Sequence, residues 1–279
     1  MEHDRAGSGR RRPDWLRPDL GLGRNNGLLF WAYLVWGAGF TLQIALWTIF
    51  IESLGATPAQ IGLVVGGGAV VRTLLAIPAG SLADRFPLKP VMVGMMGIPI
   101  LGAAGLAVAT EWWHALAGAV LMDLSAVGIP ATSAYIAAAA RPEERTRAMT
   151  YIFNISGLLT MIVAPAIGGW LAQEAGFRVV YIVGAVLFAG GIAIVALIDD
   201  VRPAAESSDG DSAGPQLGYR DLLRLPGIRV VLGFHLAVPL FAFTGVALLP
   251  NFLKDERGLS VATIGVLASL GSIAAFGAS

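Results

Sequence analysis

Cysteine is absent from this chain, which excludes disulfides and thiolate metal sites. Charge is scarce too: Asp, Glu, Lys and Arg make up 14% of residues, where soluble domains carry about 25%. Lysine occurs twice against seventeen arginines, a bias that fits GC-rich bacterial coding. No Gly-Lys-Ser/Thr loop can cradle a nucleotide phosphate, so the chain shows no site for ATP-driven pumping. Histidine pairs with metal spacing and a nucleophile elbow are also missing, and Asp123 has no second carboxylate within an apolar run. A membrane-embedded enzyme is therefore disfavoured, and neither cofactor nor metal is expected.

What the chain does contain is apolar sequence. Hydrophobic residues make up 56%, and mean hydropathy is +0.70. Runs long enough to cross about 30 Å of hydrocarbon occur at Leu28–Ile51, Pro58–Leu82, Pro90–Ala109, Trp113–Ala140, Arg147–Ala172, Val179–Ile198, Ile228–Leu253 and from Val261 onward. Lipid-facing backbone must satisfy its own hydrogen bonds, so these spans are helices rather than open strands. The predicted class is an all-α polytopic membrane protein.

Orientation follows from the cations in the connections. One set of loops holds fifteen: six in the amino-terminal tail, then Arg85, Lys89, Arg141, Arg145, Arg147, Arg202, Arg220, Arg224 and Arg229. The opposite set holds three, Arg178, Lys254 and Arg257, while Arg72 falls inside a span. That imbalance places the amino terminus in the cytosol of a cell whose plasma (inner) membrane the chain crosses repeatedly. Residues 1–27, with Arg10-Arg11-Arg12, read as a basic tail near anionic headgroups. Its six arginines are offset by four acids, so nucleic acid is not the expected partner.

A shift of 203 residues aligns the first and seventh spans without a gap. Phe40-Thr41 then falls on Phe243-Thr244, Glu52 on Asp255, Gly55 on Gly258, Thr57 on Ser260, and Ile61-Gly62 on Ile264-Gly265. Residues 28–198 accordingly read as a six-helix half and 227–279 as the first two helices of its twin. The intervening 199–226, rich in Gly, Pro, Ser and acid, reads as a cytosolic linker. A second half equal to the first needs about 200 residues after Leu225, so the chain reads as a fragment or a truncated product.

Gly80-Ser81-Leu82-Ala83-Asp84-Arg85-Phe86-Pro87-Leu88-Lys89 places an acid and two cations in the turn between the second and third spans. This Gly-x-Leu-x-Asp-Arg pattern resembles the corresponding loop of the major facilitator superfamily of transporters. The resemblance implies a gating motif built from Gly80, Leu82, Asp84, Arg85 and Lys89. In it the glycine permits close helix approach, and the aspartate meets the positive end of a helix in the other half. The arginine and distal cation then pair with neighbouring acids. Pro87 and Leu88 depart from the family's glycine and basic residue, implying a stiffer turn. A plain helix stop with its polar residues in water accounts for the same string.

Two further stretches carry the likeness. Ala134–Ala137 followed by Arg141-Pro142-Glu143-Glu144-Arg145-Thr146-Arg147 resembles the fourth-to-fifth-helix connection of drug-exporting members, with Arg141, Glu144 and Arg145 in the inner loop. Ala164-Pro165-Ala166-Ile167-Gly168-Gly169 resembles the antiporter motif, in which Pro165 kinks the fifth helix and Gly168 and Gly169 admit close neighbours. Ala164 and Met161 stand where that motif has glycines.

Ionisable groups at membrane depth are expensive and point to function. Arg72 lies about 18 Å along its helix from Asp84, and Asp123 about 15 Å from Trp113. Both thus reach the middle of the bilayer at similar depth. A pair between them is either a coupling site, where a proton competes with Arg72 for the carboxylate, or a static pair that fixes packing. The arginine that proton-driven drug exporters carry in the fourth helix is missing from Leu121–Gly128. For a substrate cavity, Trp36, Phe40 and Gln43 recur at helical spacing on the first span, with Asn154, His235 and Thr244 as further candidates. Ordinary packing explains the aromatic stripe equally. The expected partners are a small molecule, protons or another coupling ion, and lipid. The leading reading is secondary active transport by alternating access, as proton-coupled efflux. The alternatives are a degenerate half-carrier without transport and an importer of a small metabolite.

Overall fold

The structure is a computed structural model and describes residues 18–201, 227–228, 230, 233–234 and 246–277. Helices dominate the described residues, and no strand occurs among them. In order they are α1 (Arg24–Ile44), α2 (Trp47–Ser53), α3 (Pro58–Arg85), α4 (Leu88–Ala107), α5 (Trp112–Leu124), α6 (Ile129–Ala139), α7 (Arg145–Met149), α8 (Ser156–Ala175), α9 (Phe177–Val195), α10 (Leu249–Asp255) and α11 (Val261–Gly277). Five helical stretches are long and apolar enough to cross a membrane: Arg24–Ile44, Leu88–Ala107, Trp112–Ala139, Pro142–Ala175 and Phe177–Val195. Helix α3, with 28 residues, reaches about 42 Å, also beyond the hydrocarbon thickness.

Local chemistry sets the helix ends. Thr57 caps α3 in a reciprocal box with Gln60, and Pro58 occupies the first turn, where its missing N–H costs nothing. At the other end Phe86 is extended ahead of Pro87, which disfavours helical backbone at the residue before it. Gly176, at φ 83°, turns the chain between α8 and α9 in a conformation that side chains resist.

Three spans that read as continuous in sequence are interrupted. The first tightens at Ala45-Leu46, where the Leu46 N–H bonds Gln43 O (3.1 Å), dividing it into α1 and α2. The fourth passes through a 3₁₀ turn at Ser125–Gly128 before resuming as α6. Pro130, in the first turn of α6, offers no N–H to the Ala126 carbonyl, so the regular ladder cannot run through. The fifth contains a π-helical stretch, Thr150–Ile155, between α7 and α8. Interruptions of this kind inside long helices often mark functional sites.

Helices α1, α4, α8 and α9 pack together, while α3 and α4 both pack on α5. One apolar core, including Leu29, Met92, Tyr135, Ile152 and Val195, fills the end of the bundle that carries Arg85 and Lys89, hereafter the basic end. A second, including Phe50, Ile61, Leu106 and Tyr181, fills the opposite or far end. The first half meets α11 through α8 along a seam of small residues. A Cβ at Gly169 would stand 2.8 Å from the Val261 carbonyl oxygen and 3.1 Å from the Gly265 Cα. Gly265 in turn lies against the Pro165 carbonyl, and Gly168 against that of Leu42 on α1. The Ala166 N–H donates to Ser269 Oγ (3.1 Å), and Gln173 Oε1 accepts from the Ala262 N–H (3.2 Å).

Toward the basic end the same two helices part. They enclose a cavity of about 410 Å³ lined by Asn154, Leu158 and Met161 on one side and Ser272 and Phe276 on the other. The seam is therefore closed at the far end and in the middle, and open below.

Candidate substrate and coupling cavity

A second cavity, of about 250 Å³, lies inside the first half between α1, α3, α4, the α5–α6 span and the π-helical stretch. Its aromatic wall is held by polar contacts. The Tyr33 hydroxyl donates to Thr132 Oγ1 (2.9 Å), which itself donates to Gly128 O (3.1 Å). Trp36 Nε1 donates to Met96 O (3.1 Å). The Trp36 and Phe40 rings lie nearly parallel, 6° apart with centroids 6.0 Å apart, and Phe153 meets Tyr33 edge-on at 5.6 Å. These bonds fix the orientation of the Tyr33 and Trp36 rings.

Arg72 and Asp123 stand in this same cavity. Arg72 Nη1 lies 3.6 Å from Asp123 Oδ1, within ion-pair range but beyond a good hydrogen bond. The Arg72 side chain is 60% exposed and that of Asp123 25%. The acid is thus the better sheltered partner of a loose pair. Glycine makes the arrangement possible: the Asp123 carboxylate rests against Gly68, where a Cβ would overlap Oδ2, and Leu116 fills the space beside Gly67. Immediately after Asp123 the helix tightens into its 3₁₀ turn, where Ser125 Oγ donates to Met122 O (2.6 Å).

Other residues singled out in the sequence lie elsewhere. Gln43 is buried between α1 and α9, its amide donating to Gly39 O on its own helix (2.8 Å) and packing over Gly184, so it is not brought into this cavity. Asn154 faces the cavity between α8 and α11 instead. His235 and Thr244 lie outside the described residues, as does most of the linker 199–226. Pro165 sits within a continuous α8, and the two glycines behind it serve different neighbours, Gly168 meeting α1 and Gly169 meeting α11.

At the basic end one expectation needs correcting. Among the described residues Lys89 meets carbonyls rather than an acid: Nζ donates to those of Ala196 (3.0 Å) and Ile198 (2.7 Å) at the end of α9. Those carbonyls lack helical partners and carry the negative end of the helix dipole, which attracts a cation. The nearby Asp199 carboxylate is already held by Arg24 Nη1 at 2.7 Å. Arg85 is exposed in the last turn of α3, and Leu82 packs against the basic-end core. No described atom lies within 4 Å of a Cβ built at Gly80. The Asp84 side chain is not among those described. In the loop beyond α6, Arg141 Nη2 meets Glu144 Oε1 at 3.3 Å, and Arg145 Nε donates to Ala137 O (3.1 Å).

Several participants escaped the sequence reading. Gly68, Tyr33 and Thr132 carry no signal of their own, because glycine and single hydroxyls are common in membrane helices. Lys254 was visible only as a loop cation. Its position one residue before Asp255, which the 203-residue shift matches to Glu52, was the available clue.

Helical spans around an aromatic-walled cavity that holds one ion pair, with a half-bundle and the start of another packed on it, define a multi-pass membrane protein built like a two-lobed carrier. A family model described as Major Facilitator Superfamily matches residues 29–279, and the chain belongs to that family. It is 34% identical over 154 residues to the multidrug resistance protein MdtH of Cronobacter sakazakii, covering 54% of this chain and 37% of that protein. It is 27% identical over 176 residues to the multi-drug resistance efflux pump PmrA of Streptococcus pneumoniae, covering 61% and 44%. Against the inner membrane transport protein YajR of Escherichia coli the identity is 28% over 169 residues, covering 57% and 37%. These matches span under half the length of the relatives. Among solved structures, a bacterial homolog of the human lysosomal transporter Spinster, inward-facing and unoccupied, superposes with a TM-score of 0.73 at 20% identity. That likeness covers 90% of this chain and 59% of the other, and it shows a shared fold.

Proposed function

We propose that this chain serves secondary active transport of a small molecule across a bacterial plasma membrane, by alternating access and in the direction of proton-coupled efflux. The observation that carries the reading is the Arg72–Asp123 pair at 3.6 Å inside an aromatic-walled cavity. A carboxylate that meets its cation so loosely is open to a proton. Protonation cancels the pair, frees Arg72 and shifts the packing of α3 against α5. The 3₁₀ turn directly after Asp123 is the joint at which that shift bends the fourth span. Trp36 and Phe40 offer the guest its stacking surface, with cation–π attraction on the order of 1 kcal/mol where the site is dry.

In this reading the basic end faces the cytosol, residues 1–27 form its tail, 28–198 the first half, 199–226 the linker and 227–279 the start of the second half. The drug-resistance and efflux names of the relatives, MdtH and PmrA, support export as the direction.

The test is Asp123→Asn in proteoliposomes under an imposed proton gradient, screened with lipophilic cations and common metabolites. Uphill movement is expected to vanish while the protein stays inserted and downhill exchange of substrate persists. Transport that remains tied to the proton gradient in this variant removes Asp123 from the coupling role.

A further inference from the structure

The two halves meet at the far end through groups that the cavity does not use. Lys254 Nζ, on α10, lies 2.7 Å from Glu52 Oε2 at the end of α2 and 3.0 Å from Asp255 Oδ1. One lysine thereby holds the two carboxylates that the 203-residue shift places in register. Directly below, Asn251 Nδ2 donates to the Thr48 carbonyl oxygen (3.2 Å) in a buried contact. Thr48 and Asn251 are themselves 203 residues apart. Equivalent positions that touch each other must lie beside the pseudo-two-fold axis relating the halves. The contact is also incompletely satisfied: Asn251 Oδ1 and Thr48 Oγ1 are buried without a partner among the described residues. A polar junction on the axis, short of hydrogen bonds, gains partners when water enters, which makes it suited to opening.

We infer that Glu52 and Lys254, seated on the Thr48–Asn251 contact, form a latch that keeps the far end shut and must part each time the cavity turns outward. The inference rests on the alternating-access reading above. Burial of the ion pair is partial, Lys254 being 36% and Glu52 28% exposed, so the latch is strong enough to bias the closed state and weak enough to break.

The chain has no cysteine, so a single reporter is unambiguous. With Ala126→Cys in the cavity wall, the rate of reaction with a membrane-impermeant maleimide is measured from each side of oriented vesicles. Each rate is normalised to total thiol after unfolding in detergent. Glu52→Gln and Lys254→Gln are each expected to speed labelling from the far side about three- to tenfold. The charge-swapped Glu52→Lys/Lys254→Glu protein is expected to return toward the native rate, which a merely misfolded variant does not do. Unchanged far-side labelling in both single variants overturns the latch, and so does a swapped protein as leaky as they are. Labelling reads access rather than flux. The latch pattern in a protein that carries no substrate keeps the latch and removes transport; flux with latch-independent labelling removes the latch alone.

Discussion

The two ends of this bundle are fastened in opposite ways. At the basic end the polar contacts among the described residues stay inside the first half, and four side chains meet at the end of α9. Lys89 holds its last carbonyls, Arg24 holds the Asp199 carboxylate, Asn25 Oδ1 accepts the Asp199 N–H (3.1 Å), and the Tyr135 hydroxyl donates to the Asp199 carbonyl (2.7 Å). At the far end the described contacts cross between halves: Glu52 to Lys254, Thr48 to Asn251, and Gln173 to Ala262. One end therefore consolidates a lobe, while the other joins two lobes. The lobes touch along the α8–α11 seam, which is tight at Gly169 and Gly265 and leaves a cavity between Asn154 and Phe276 toward the basic end.

The largest expected effect comes from wedging the α8–α11 seam. Gly169→Leu must push Val261 and Gly265 away, because even a Cβ at that position meets backbone, and backbone cannot rotate aside as a side chain can. A cost of about 3 kcal/mol, at the upper end of overpacking, is expected. It is checked by thermal unfolding in detergent, with Gly157→Leu as control, since no described atom lies within 4 Å of a Cβ there. An equal loss from both variants would mean that the seam is no tighter than the rest of α8. Next comes Gly68→Ala, which displaces the Asp123 carboxylate rather than a helix. Its expected signature is a shifted pH profile of transport, with a loss of stability of about 1 kcal/mol. An unchanged profile would separate Gly68 from the carboxylate's placement.

How much of this was legible in the sequence differs between the same two regions. The described spans, and Arg72 and Asp123 within them, were readable because each is a local property: apolar length, or a charge where none belongs. That the two meet was an expectation from depth alone, since helix counting gives height but not azimuth. Azimuth is also why Gln43 was misplaced: it shares a stripe with Trp36 and Phe40 but turns toward Gly184. Lys89 was assigned an acid because sequence displays side chains, whereas its partners are backbone carbonyls common to every residue. The helix interruptions hid for a related reason. Pro130 was visible, but whether a proline bends, breaks or tightens a helix depends on neighbours that arrive from elsewhere in the chain.

The latch also has a pH signature outside the membrane. Hydrogen bonding to Glu52 leads the causes that raise the Lys254 pKa above its ordinary 10.5, and the bond to Lys254 leads those that lower the Asp255 pKa below 3.8. Lysine's share of the closure is therefore complete at neutral pH and fades only as pH climbs past its raised value. Asp255 neighbours Lys254 on the same helix, so protonating it as pH falls through its lowered pKa leaves the bond across the halves in place. Far-side labelling of the cavity reporter, taken as a ratio to labelling of a free thiol at the same pH because only the thiolate reacts, is accordingly expected to stay flat across neutral pH and to rise as Lys254 deprotonates at high pH. A rise between pH 6 and 8 would point to a different titrating group.

The smallest effects return to the basic end and set two cations of one lobe against each other. Lys89→Met removes two hydrogen bonds to the last carbonyls of α9, one of them partly buried. Orphaning those carbonyls is expected to cost about 1–2 kcal/mol in detergent unfolding. Arg24→Gln removes an ion pair that is just as short, 2.7 Å, and a longer, exposed bond from Nη2 to the Leu197 carbonyl (3.2 Å), but the partners of the ion pair are 64% and 65% exposed. Water screens such a pair and ordering two long side chains offsets it, so a loss of at most about 0.5 kcal/mol is expected. Distance alone ranks the two contacts as equals; exposure and the fate of the partner left behind rank Lys89 first. If Arg24→Gln proves the costlier, the end of α9 is held chiefly by Arg24 rather than Lys89, and a loss that shrinks in high salt then assigns it to the Asp199 pair rather than to the Leu197 carbonyl.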